Sequence, residues 1–206
     1  MNVITAPIHC RQATLEDIPK IVKMHRSYIA EEDLEKFQDL YLDYYYQELI
    51  RSDNFVFVAV DGNSVIGFCS LVADHGNVLV ELIKHKFTDL FKIPLSNWFQ
   101  VLPYVFRRLY CEVFGGKWSN NEVEEFRSCG ELRAIAVDPE YREFHVGTNL
   151  LKTCIEMARR TYKMPMIAWV LEKNEPSLRL FLGDGFRKAG VRKDRSGDFF
   201  LLVLDS

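Results

Sequence analysis

Arg142 and Gly147, five positions apart, form the most chemically suggestive spacing in the chain. They follow a strand-like run, Glu131 to Val137, and a turn, Asp138-Pro139-Glu140. They open a segment in which Leu150, Leu151, Cys154, Ile155 and Ala158 share one helical face. Exposed backbone N–H groups at the start of such a helix, with Arg142 beside them, suit an anionic diphosphate. Gly147 lets phosphates approach the backbone, which a side chain would hold away. Asn174 and Ser177 introduce another helix, with Asn174 as N-cap and Pro176 in the first turn, where a missing N–H costs little. The cap uses only the side-chain oxygen of Asn174, so a ligand contact can coexist with it. Ser177 reads as packing in the same region, because no histidine is placed to activate it. His9, His75 and His85 lack metal-ligand spacing, so no metal site is expected. His25, on an apolar helix face, reads as a core histidine.

The remaining pattern supplies the scaffold. Ile8 to Ala13 reads as a short strand, and Thr14 with Asp17 approximates a capping box for a helix whose face is Ile18, Ile21, Val22, His25 and Ile29. A second helix is expected from about Leu34 to Ile50, its aromatic face including Tyr41, Tyr44 and Tyr45. Phe55 to Val60 and Ser64 to Val72 are β-rich runs joined by Asp61-Gly62-Asn63, a tight hairpin signal. From about 73 to 128 the pattern becomes helical and is broken near Pro94 and Pro103. It is too short and too rich in large apolar residues to stand alone, so it reads as an insertion in a single domain spanning 1–206. The strand Glu131–Val137, the helix from Val146 and the strand Met166–Leu171 then form a right-handed βαβ unit with a parallel pair. Gly183-Asp184-Gly185 ends the helix after Asn174, and the runs Phe186–Val191 and Phe199–Leu204 close the chain.

In this order of elements, Arg142-Glu143-Phe144-His145-Val146-Gly147 resembles the acyl-CoA motif of the GNAT superfamily of N-acetyltransferases, Arg/Gln-x-x-Gly-x-Gly/Ala after a strand. Asn174-x-x-Ser177-x-x-Leu180-Phe181, followed by Gly185-Phe186, is similar to that superfamily's Asn-x-x-Ala-x-x-Leu-Tyr and Gly-Phe segment. The likeness covers the chain apart from the insertion. It implies an α/β (α+β) fold with a mixed, mainly antiparallel sheet, a central parallel βαβ unit, flanking helices and a helical insert between the third and fourth strands.

The resemblance also implies direct transfer from acetyl-CoA to an amine, without an acyl-enzyme. The pantetheine arm would lie between splayed strands, its amides paired with the backbone of Ile135, Ala136 and Val137. The pyrophosphate would meet Arg142, His145, Val146, Gly147 and Thr148, and Asn174, Ser177 and Phe181 would border the cofactor. A backbone N–H near Ile135 would polarise the thioester carbonyl. An alkylamine of pKa about 10 is mostly protonated at pH 7, so a base is needed, and Glu131 at the start of the central strand is the candidate. Two residues depart from the pattern. His145 replaces a glycine and either faces outward or donates to a phosphate. Phe181 replaces a tyrosine that protonates the departing thiolate, which predicts a slower enzyme or a substitute acid such as Tyr104, Tyr110, Tyr141 or Tyr162.

Lys84, Lys86, Lys92, Arg107 and Arg108 against Asp89, interleaved with Phe and Trp, make the insertion locally basic. It reads as a lid with solvated cations, with a membrane-surface element or a clamp for a phosphorylated substrate as alternatives. For the whole chain, 26 Lys and Arg against 29 Asp and Glu argue against nucleic acid as the main partner. No apolar run approaches the roughly 20 residues of a membrane span, no signal peptide is evident, and five scattered cysteines form no disulfide framework. A cytoplasmic protein is therefore expected, and the reading admits a homodimer. The expected activity is acetylation of a small or sugar-linked primary amine. The rivals are a noncatalytic acyl-CoA-binding module and a peptide N-acetyltransferase.

Overall fold

Capping and turn residues punctuate the chain where apolar periodicity changes. The computed structural model describes residues 7–29, 38–52, 54–73, 129–161, 163–194 and 197–205. Residues on either side of 76–127 belong to one compact unit. β1 (His9–Gln12) leads into a 3-10 turn (Leu15–Asp17) and α1 (Ile18–Tyr28). The backbone N–H of Thr14 and its hydroxyl both donate to Asp17 Oδ2, at 2.8 and 3.1 Å. Arg11 on β1 grips both oxygens of the same carboxylate at 2.7 and 2.8 Å. Burial pushes the Asp17 pKa up, but the bonds from Arg11 and Thr14 outweigh it and hold the group below its ordinary value.

α2 (Gln38–Arg51) precedes the hairpin of β2 (Phe55–Asp61) and β3 (Ser64–Val72). Its two-residue turn is Gly62-Asn63, and Gly62 sits at φ 58°, a conformation that costs glycine little. β4 (Gly130–Val137), a 3-10 segment (Pro139–Phe144), α3 (Val146–Thr161) and β5 (Met166–Leu171) follow. α4 (Glu175–Gly183), β6 (Arg187–Asp194) and β7 (Gly197–Leu204) complete the unit. The closing strands run further toward their turn than apolar content suggests, because the ladder continues through polar pairs to Asp194 and Gly197. The expected insertion at about 73–128, the start of the second helix at Leu34 and the tyrosines at 104, 110 and 162 lie outside the described residues.

The described strands form one seven-stranded sheet in the order β1-β2-β3-β4-β5-β7-β6. All neighbours are antiparallel except β4 and β5, which run parallel. The mixed, mainly antiparallel sheet with a parallel βαβ unit is thus observed. α3 covers one face with Val146, Leu150, Leu151, Cys154, Ile155 and Ala158, all buried. Gly67 on β3 permits this approach, since an added Cβ would come 3.0 Å from Leu150 Cδ1 and 3.2 Å from the Ala136 carbonyl. Its neighbour Phe68 points to the opposite face, where its ring meets His25 of α1 and Tyr46 of α2 at centroid distances of 6.3 and 5.6 Å. No described helix is long and apolar enough to cross a membrane.

Candidate active site

The parallel pairing of β4 and β5 lasts only three residues, Gly130↔Met166, Glu131↔Ile167 and Leu132↔Ala168. A β-bulge explains why it ends there. β3 pairs Leu71 with Leu132 and Ser70 with Ala134, so Arg133 is an extra residue in β4. A bulge bends its strand and interrupts pairing, and beyond this one β4 keeps its bonds to β3 while parting from β5.

The free edge of β4 can be read from its ladder. Asp138 N donates to Ile66 O at 2.8 Å, so by the alternation of an antiparallel pair Ala136 also turns its backbone toward β3. Ile135 and Val137 then turn theirs away from β3, and the Val137 carbonyl accepts from Arg142 Nε at 3.4 Å. Ile135 and Val137 therefore face the opening, whereas the expected amide pairing by Ala136 is corrected: its polar groups are spent on Phe68.

At the end of β4, Asp138 caps the 3-10 segment, accepting from Glu140 N at 3.2 Å, with Pro139 in the first position. Tyr141 ties this loop to the hairpin by donating to buried Asp61 at 3.2 Å. Burial and that bond raise the Tyr141 pKa. Its hydroxyl is committed to the loop, which removes it as a ready substitute acid. Sequence reasoning had no signal for a contact spanning eighty residues.

α3 begins as the spacing predicted. Asn149 N donates to His145 O at 3.0 Å, the first bond of the helix, so the N–H groups of Val146, Gly147 and Thr148 precede it and lack intrahelical acceptors. Such a terminus favours an anion. A Cβ added to Gly147 would lie 3.6 Å from both Val137 Cγ2 and Leu180 Cδ2. The fold would tolerate it, but it would fill the space between the end of β4 and α4. That is the cradle an acyl-CoA needs, and these residues fit one. His145 adopts the left-handed conformation, φ 57° and ψ 20°, which accounts for a glycine in the motif. Its side chain is exposed and makes no described hydrogen bond.

On α4, the Asn174 side chain accepts from Ser177 N at 3.2 Å, as an N-cap, and Ser177 is half-buried. Phe181 is placed differently from its expected cofactor contact. Only 3% exposed, its ring packs edge-on against Phe186 at 5.1 Å within the core.

Glu131 lies opposite Val72, on the face that bears Phe68, Ser70 and α1. Arg133 Nε donates to Glu131 Oε2 at 2.8 Å, and their side chains are 31% and 16% exposed, respectively. The same face holds His25, whose Nδ1 lies 2.7 Å from the hydroxyl of fully buried Tyr46. Burial lowers the His25 pKa to about 4, so the imidazole is neutral at pH 7. His25 is in the core as its apolar helix face indicated, while its bond to Tyr46 was not foreseeable.

The sequence profile described as "Acetyltransferase (GNAT) family" matches residues 108–186. No curated protein matches the chain in sequence. Among solved structures, a ribosomal-protein-alanine N-acetyltransferase from Brucella melitensis is similar at 20% identity and a TM-score of 0.63, over 96% of this chain and 99% of that one. The yncA protein of Salmonella typhimurium, solved with its cofactor acetyl-CoA, is 18% identical with a TM-score of 0.62, over 96% and 93%. A NatC complex bound to Gag peptide and CoA is 16% identical with a TM-score of 0.61, over 97% and 98%. At such identities the structural likeness is one of fold.

Proposed function

We propose, from the family-profile match over residues 108–186, that the chain is an acetyltransferase of the GNAT superfamily and transfers the acetyl group of acetyl-CoA directly to the primary amine of a small or sugar-linked acceptor. The observation that carries this reading is the β4–β5 opening that begins at Arg133 and runs toward the uncapped N–H groups of α3. Acetyl-CoA supplies the activated thioester. Ile135 and Val137 offer backbone groups to the pantetheine amides, and Val146, Gly147 and Thr148 with Arg142 meet the diphosphate. Donors aimed at the thioester oxygen stabilise charge as it develops. On the face away from α3, Glu131 takes the proton from the attacking amine, with Arg133 holding one carboxylate oxygen. With Phe181 in the core, water protonates the leaving thiolate, a tolerable leaving group at a thiol pKa of about 8.5.

A second reading, acetylation of a peptide N-terminus, draws on two of the similar structures, one named for ribosomal-protein alanine and one bound to Gag peptide. Calorimetric titration of acetyl-CoA, beside a Gly147→Asp variant, tests the shared cofactor step: micromolar binding by the unmodified protein should fall by more than about 100-fold in the variant. Colorimetric detection of released CoA thiol, with simple amines, nucleotide-linked amino sugars and short peptides as acceptors, separates the two readings. Preference for peptides would overturn the first. Absence of acetyl-CoA binding would overturn both.

A further inference from the structure

Arg142 stands in a loop of carboxylates. Asp138, Glu140 and Glu143 surround it in sequence, so the stretch has three acids to one arginine. A flexible guanidinium in that setting ordinarily pairs with one of them, which would cancel its value to an incoming diphosphate. Among the described residues Arg142 pairs with none of the three. Its Nε lies against the Val137 carbonyl at 3.4 Å, and its guanidinium carbon sits 6.0 Å from the centre of the Tyr28 ring. Tyr28 is the last residue of α1 and 37% exposed, so its ring is at the surface where the loop passes. The raised pKa of its hydroxyl fits the same placement: partial burial is the main cause, Asp138 and Glu140 add to it, and Arg142 opposes it.

We propose that Tyr28 is a positioning residue of the acyl-CoA site, its ring holding the Arg142 guanidinium out of the surrounding carboxylates and available to a diphosphate. An aromatic face attracts a cation without neutralising it. It therefore competes with Asp138, Glu140 and Glu143 for orientation, yet leaves the terminal guanidinium N–H groups to donate to a new anion in their plane. Restricting so long a side chain before binding also lowers the entropy lost when the ligand arrives. Through this contact α1, whose buried residues pack on the face of the sheet opposite α3, becomes part of the cofactor site.

The inference rests on the acetyl-CoA reading and is tested with acetyl-CoA as the probe. Calorimetry on the full chain should show binding weakened about two- to fivefold by Tyr28→Leu, the range expected of an exposed cation–π contact. Tyr28→Phe keeps the ring and should bind within twofold of the unmodified protein. Tyr28→Trp, the strongest partner for a guanidinium, should bind as well or better. In an Arg142→Gln background, Tyr28→Leu should have no further effect, because the two changes remove one interaction. Binding by Tyr28→Leu equal to the unmodified protein would overturn the proposal, as would losses that multiply in the double variant. Phe as weak as Leu would move the effect to the hydroxyl and also overturn it. Should Tyr28→Leu not fold, Tyr28→Gln takes its place, with the same expected two- to fivefold loss and the same overturning result. No acetyl-CoA binding by the unmodified protein would instead sink the underlying reading and the inference with it.

Discussion

The two faces of the sheet differ in chemistry more than in burial. On the α3 face, Leu132, Leu150, Leu151, Cys154, Met166, Phe181, Phe186 and Leu202 form a continuous apolar core. On the other face His25 and Ser70 are buried as well, whereas Glu131 is half-buried and Arg133 is exposed. Among the described residues the Ser70 hydroxyl finds no hydrogen-bond partner. An apolar face holds the βαβ unit rigid, and the polar one carries groups able to move protons. Both faces share β4, so one strand presents backbone donors at its edge and a carboxylate on one side. In the proposed reading, the packed face and the base Glu131 therefore lie on opposite sides of one strand.

The comparison breaks most sharply at Glu131. Glu131→Gln should lower acceptor-dependent CoA release about 10²–10⁴-fold, the usual contribution of a general base, while acetyl-CoA binding measured by calorimetry stays within twofold. A loss of cofactor binding instead would make Glu131 part of the scaffold. Across the sheet the effect should invert. Leu150→Ala removes a fully buried side chain beneath α3 and should cost about 2–5 kcal/mol in urea unfolding. A cost below 1 kcal/mol would mean that α3 collapses into the space and is not the rigid partner its packing implies.

Acid should distinguish the faces next. His25 has a folded pKa of about 4 against 6.5 when unfolded, so the unfolded chain binds its proton first as pH falls. Its neutral form costs nothing above about pH 6.5. Between there and about pH 4, stability should decline by about 3 kcal/mol from this group alone. Asp17 acts lower: its pKa is depressed, so its contribution holds above the ordinary carboxylate range and is lost as pH falls through its folded value. Unfolding free energy measured from pH 7 to 4 should therefore slope in the unmodified protein and flatten in His25→Phe. An unchanged slope would place the acid sensitivity elsewhere.

These groups also mark what could be read from sequence. Local rules sufficed for Asn174 at its cap, Pro139 in its turn, the tight hairpin and the start of α3 beside Gly147, because each is settled within four residues. They also sufficed for the parallel pairing of β4 with β5, since a strand–helix–strand unit returns its second strand parallel to the first. Contacts made by the fold were not legible. Arg11 reaches Asp17 because β1 lies at the sheet edge, Tyr141 reaches Asp61 across eighty residues, and His25 finds Tyr46 on another helix. The bulge at Arg133 leaves no trace in the alternation of Glu-Leu-Arg-Ala-Ile-Ala-Val, yet it opens the site. Phe181 shows the opposite failure: a motif position suggested a ligand contact, and packing against Phe186 took the side chain into the core.

The smallest effect tests the join between the two regions. His145 adopts a left-handed conformation that costs a residue with a Cβ about 1–2 kcal/mol, although histidine tolerates it better than most. His145→Gly removes that strain but adds about 0.5–1 kcal/mol of unfolded-state entropy to be lost on folding. The net should be a gain of about 0.5–1 kcal/mol, or roughly 1–4 °C in thermal unfolding for a chain of this size. An exposed imidazole without a hydrogen bond predicts unchanged acetyl-CoA affinity in the same variant. Higher stability with weaker binding would mean that histidine is retained at a strained position because it donates to the diphosphate, and the anion site would then extend from the backbone of α3 to this side chain.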